Sequence, residues 1–77
     1  MFLKLTKAEN RRALYVNVRI IEMFYAGMDG GAVIEFTDTM VIDGSPAARL
    51  RVVEKPDEIL AQLQSCRSNS NPHPGVV

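Results

Sequence analysis

The sequence predicts a mainly β, α+β domain: a small antiparallel sheet of four or five strands with one C-terminal helix. Three observations carry this expectation. Apolar and polar residues alternate through short segments between Phe2 and Glu54, as half-buried strands require. Clusters of turn-forming residues separate those segments, the strongest being Gly27-Met28-Asp29-Gly30-Gly31. Within Leu50 to Leu63, LRVVEKPDEILAQL, the two-residue period then gives way to a helical one.

Phe2 to Thr6, FLKLT, puts Leu3 and Leu5 on one face and Lys4 on the other. The polar run Lys7 to Arg12 turns the chain, with Asn10 the residue best suited to a left-handed conformation. Ala13 to Val18 resumes with Leu14, Val16 and Val18 on one side and Tyr15 and Asn17 on the other. A bend or bulge between Asn17 and Arg19 allows Ile20 to Ala26 to start a third strand that is largely apolar on both faces. Asp29-Gly30 is the pair expected in a tight hairpin. The β-rich run Ala32 to Thr37 follows it, so the glycines lack the helix N-terminus that a phosphate-binding loop needs. Met40 to Ile42 has strand character, and Asp43-Gly44-Ser45-Pro46 is a turn. Met40 to Ala48 therefore reads as a projecting hairpin arm, with a flexible loop as the alternative, before the final strand, Leu50 to Glu54. Pro56 opens a helix over about 56–66, because proline's missing N–H has no partner at the first helical position. Asp57 and Glu58 favour the positive end of its dipole. Ile59, Leu60 and Leu63 form its apolar stripe, with Ala61, Gln62 and Gln64 facing out. Residues 67–77, rich in Ser, Asn and Pro, are expected to be a disordered tail beyond a single domain at 1–66.

A domain of that size buries only roughly 60% of its unfolded surface. Its lone cysteine, Cys66, excludes an internal disulfide, so association with another subunit is the expected source of added stability. Nine basic and nine acidic residues cancel, which argues against a dedicated nucleic-acid binder. No apolar run approaches the ~20 residues of a membrane-spanning helix. The first residues turn charged too early for a signal peptide, so a cytoplasmic protein is expected.

The candidate sites are sparse. Glu22 and Glu35 fall on neighbouring strands, but two such carboxylates are far more often surface charges than an acid–base pair. Cys66 reads as a half-buried filler at the helix end rather than a reactive thiol. His73, the one histidine, sits between prolines in the tail. No enzyme activity, cofactor or metal is expected. Lys7, Arg11, Arg12 and Arg51, with Lys4 and Arg49 near them, form a possible nucleic-acid patch on which Tyr15 can stack a base. Ordinary protection of a strand edge is the simpler use of those charges. The apolar face carrying Tyr15, Met23 and Tyr25 is the expected surface for a homo-oligomer.

Leu3 to Thr6, Tyr15 to Asn17, Ile21-Glu22 and Val53 to Ile59 together resemble the flagellar FlbD/SwrD family of small bacterial proteins. Members show an I/L-x-L-T strand, a Y-V/L-N strand end, an apolar strand containing I-E, and a closing V-x-E-x-x-E-E-I/V helix entry. The likeness spans most of residues 2 to 64, and this chain differs by inserting Met40 to Ala48. It implies a non-enzymatic accessory role linked to motility, without cofactor or catalytic residues. Leu3 to Lys7 is also similar to the opening strand of the carbon-storage regulators, β-rich dimers that bind RNA. That likeness implies translational regulation as the alternative.

Overall fold

The computed structural model describes residues 1–69. Strands β1 (Phe2–Thr6) and β2 (Ala13–Asn17) form an antiparallel ribbon with Leu3 opposite Val16 and Leu5 opposite Leu14. The alternation works as expected: Leu3, Leu5 and Val16 are buried, and Leu14 packs against them. In the connecting turn Arg11, not Asn10, adopts the left-handed conformation, at φ 61°. Asn10 stays outside that region because its Oδ1 accepts the Arg12 N–H at 3.1 Å, closing the turn through its side chain. Asn17 then caps a 3-10 turn, Val18–Ile20, accepting from the Arg19 N–H at 3.0 Å. This is the bend anticipated at Asn17–Arg19, and it carries the chain out of the first sheet.

Strands β3 (Ile21–Ala26), β4 (Ala32–Ile42) and β5 (Ser45–Val52) form a second antiparallel sheet in the order β3-β4-β5. The expected sheet of four or five strands is thus five strands in two sheets. The two hairpins of the second sheet exchange their expected turns. Asp29-Gly30 lies in a five-residue loop, Gly27 to Gly31, closed by the Gly27 N–H donating to the Gly31 carbonyl at 2.9 Å. The two-residue turn is Asp43-Gly44, with both residues at positive φ (52° and 80°) and Ile42 opposite Ser45. Such turns match the twist of the strands that they join. Met40 to Ala48 is accordingly an ordered hairpin arm, and the last strand begins at Ser45 instead of Leu50.

The sheets join where β1 runs past β5. Lys7 bridges to Val52, the Val53 N–H donates to Thr6 (2.9 Å), and the Ala8 N–H donates to Arg51 (3.0 Å). Inward side chains of both sheets, including Leu3, Leu5, Ile34, Leu50 and Val52, meet in one core. Helix α1 (Pro56–Asn69) adds Ile59 to that core and packs Leu63 against it. Its entry is secured by the Glu58 carboxylate, which accepts from the Lys55 N–H at 2.8 Å. The helix continues to Asn69, three residues past the expected end, and residues 70–77 of the expected tail lie outside those described. Leu60 departs from the expected stripe: it is 47% exposed, while among the described side chains of α1 Ile59 and Leu63 reach the core.

Candidate interaction groove

A β-strand has two edges, and each edge must be paired, hydrated or blocked. The free edge of β1 is sealed by side chains. Gln62 on α1 accepts from the Lys4 N–H (3.2 Å) and donates to the Lys4 carbonyl (2.9 Å). Glu54 accepts from the Thr6 N–H (2.9 Å) and the Thr6 hydroxyl (2.8 Å). Gln62 therefore points at the sheet, contrary to the sequence expectation. On the arm, β5 carries Pro46, which has no N–H to offer. β3, the outer strand of its sheet, has a register shift in its ladder to β4 between Ile21 and Met23, beyond which Met23 to Ala26 pair regularly.

Among the described residues, two edges that meet at one concavity lack a side-chain seal. Lys4 and Thr6 turn their backbone groups toward α1 and β5, so Leu3 and Leu5 make the ladder to Val16 and Leu14. Ala13 and Tyr15, one position on, direct theirs away from β1. The outer half of β4, Thr37 to Ile42, extends past its pairing with β3, which ends at Phe36. These two edges flank one groove of about 370 Å³, lined by Ala13 to Asn17 on one side and Met40 to Asp43 on the other. Its apolar lining includes Leu14, Val16, Ile20, Phe36 and Met40. Phe2 (58% exposed), Tyr15 (66%) and Val41 (73%) also belong to its walls. Apolar exposure grouped around a concavity is the usual mark of a contact surface.

The expected self-association residues divide between the sheets. Tyr15 lies in this groove, whereas Met23 and Tyr25 lie on β3. The Tyr25 hydroxyl donates to Glu35 at 2.6 Å, and Arg49 stands 4.0 Å from the same carboxylate oxygen. That hydrogen bond, followed by desolvation, raises the Tyr25 pKa above its ordinary value. Glu35 is opposite Met23 because of the register shift, and Tyr25 and Arg49 occupy its carboxylate. Glu22 and Glu35 accordingly do not form a paired register.

The basic residues are also dispersed. Lys7 is only 7% exposed; its ammonium donates to Asp43 at the arm tip and lies 3.7 Å from Glu9. The Lys7 hydrogen bond, then its charge, holds the Asp43 carboxyl below the usual carboxylate range. Arg51 donates to Asp29, and that bond, followed by the Gly31 N–H, lowers the Asp29 pKa as well. Of the proposed patch, Lys7 and Arg51 are thus committed to acids, while Arg11 and Arg12 stand exposed in the first turn. Among the described residues no group of three or more His, Cys, Asp or Glu side chains could hold a metal ion, and no helix is long and apolar enough to cross a membrane. His73 lies outside the described residues, and Cys66 falls within the later turns of α1.

The sequence marked Asp43 as part of the turn at the arm tip but not its ion pair with Lys7, gave no role to Val41 and set Gln62 facing out. Nothing local in the sequence marks Gln62, whose role depends on which edge of β1 meets the helix. No protein-family model, curated protein or solved structure matches the chain.

Proposed function

We propose that this chain is a small non-enzymatic protein-interaction module of the cytoplasm that self-associates through the groove between β2 and the arm. One observation carries the reading: two unprotected strand edges flank a single apolar groove whose walls include exposed Phe2, Tyr15 and Val41. Backbone edges supply directional hydrogen bonds, and the apolar lining supplies burial, the combination used in strand addition. The test is the solution mass of the full chain by light scattering coupled to gel filtration, at low and high salt. A defined dimer or larger species at both salts supports the reading, and a monomer at every concentration overturns it.

The likeness to the FlbD/SwrD family supports placing the module among accessory proteins of bacterial motility. Loss of swarming on deletion, restored by the wild-type chain, is the expected result; unchanged swarming removes that assignment. RNA binding is the weaker reading, because Lys7 and Arg51 are engaged with Asp43 and Asp29. It requires salt-sensitive RNA retention that Arg11→Ala and Arg12→Ala weaken.

A further inference from the structure

We infer that the occupant of the open β2 edge is β2 of a second copy, paired antiparallel about a two-fold axis at Tyr15. The inference rests on the self-association reading and specifies its contact. The strand Ala13–Asn17 has five residues, and its outward backbone groups fall at alternate positions centred on Tyr15. An isologous contact requires a surface complementary to itself. A two-fold at Tyr15 provides it: Ala13 faces Asn17 of the other copy, Tyr15 faces Tyr15, and Asn17 faces Ala13. The segment ALYVN carries no charge, so two copies approach without like-charge repulsion. The edges of β1 and of the arm carry Gln62, Glu54 and Pro46, and the open part of β4 carries the charged Asp38, whereas β2 has none of these and, unlike β3, it lines the apolar groove. The 3-10 turn at Val18 limits the pairing to those five residues. The two ribbons then make a continuous four-stranded sheet, β1-β2-β2-β1.

Two substitutions test the contact. Tyr15→Pro removes an N–H that points away from β1, so it spares the ladder within the chain but blocks an added strand. We expect a monomer by light scattering with an unchanged circular dichroism spectrum. Tyr15→Cys, made in a Cys66→Ser chain, brings two thiols onto the axis. Directly opposed residues of such a pair have Cα atoms about 5.5 Å apart, within disulfide range. We expect mild oxidation to link it into dimers. Ala13→Cys in the same background places its two copies about 14 Å apart, four residues out of register, and should stay unlinked. A dimer that Tyr15→Pro leaves intact and Tyr15→Cys does not cross-link overturns this register while leaving self-association standing. A wild-type monomer overturns both.

Discussion

At Gly31 the start of β4 passes so close to β5 that a Cβ would lie 2.1 Å from the Val52 carbonyl oxygen, a backbone atom that no rotamer change can move. Val52 is also where β5 meets Lys7, just past the end of β1, so displacement there disturbs the junction of both sheets. We expect Gly31→Ala to destabilise the domain by about 3 kcal/mol, as forced overpacking does. Gly30, at φ 91° with nothing within 4 Å of its added Cβ, should cost only about 1 kcal/mol on the same change. Urea unfolding of the two variants checks the order, and an equal cost would refute the close approach. Lys7 and Asp43 set a second constraint at this scale, pinning the arm tip to the end of β1. The Asp43 pKa is lowered in the fold, so its contribution is fully present above the unfolded value of about 3.9 and is lost as pH falls through the lower folded value. Asp29, lowered by Arg51, acts with the same sign. Melting temperature should therefore fall more steeply below about pH 4 in the wild type than in Asp43→Asn, which has no carboxylate at that position to protonate. Parallel acid profiles would show that the pair does not anchor the arm.

The elements show which signals were readable. Period-two alternation located β1 and β2 almost to the residue, since an inward Leu3 or Val16 follows directly from the pleat. Proline and two acids marked the start of α1 because they act within one turn of the backbone. Features fixed by neighbours were not legible. Whether Asp29-Gly30 or Asp43-Gly44 makes the two-residue turn depends on strand register, and Asp29 is drawn toward Arg51 on β5. Tyr15 was legible as an outward side chain of β2, but its separation from Met23 and Tyr25 depended on the chain dividing into two sheets. Gln62 is the strongest case, since its amide meets both polar groups of Lys4, 58 residues away in sequence. Replacing it with Ala should cost about 1–2 kcal/mol, one modest hydrogen bond for each group left to water. Gln62→Glu should be at least as harmful, because a carboxylate would face the Lys4 carbonyl and lose the donor. Both are read from urea midpoints, with Gln64→Ala, at an exposed position, as the neutral comparison.

At the scale of the whole molecule, the buried core among the described residues consists of nine apolar side chains, from Leu3 to Ile59, while Phe2, Tyr15 and Val41 remain exposed beside one groove. A domain this small gains little from its own core, so covering that groove should contribute measurably to folding. If folding and association are coupled, stability depends on protein concentration, because dilution favours the separated, unfolded chains. A tenfold rise in concentration then favours the native dimer by about 1.4 kcal/mol. Spread over two chains of this size, that should raise the melting temperature by a few degrees. Tyr15→Pro should abolish the dependence, leaving a lower melting temperature that is the same at every concentration. The contact region Ala13–Asn17 is uncharged and its bonds run between backbones, so added salt should leave the concentration dependence in place. A dependence that vanishes in high salt would instead assign the association to exposed charges such as Arg11 and Arg12. A wild-type melting temperature independent of concentration would mean that the groove stays uncovered in the folded protein and that the core alone sustains the fold.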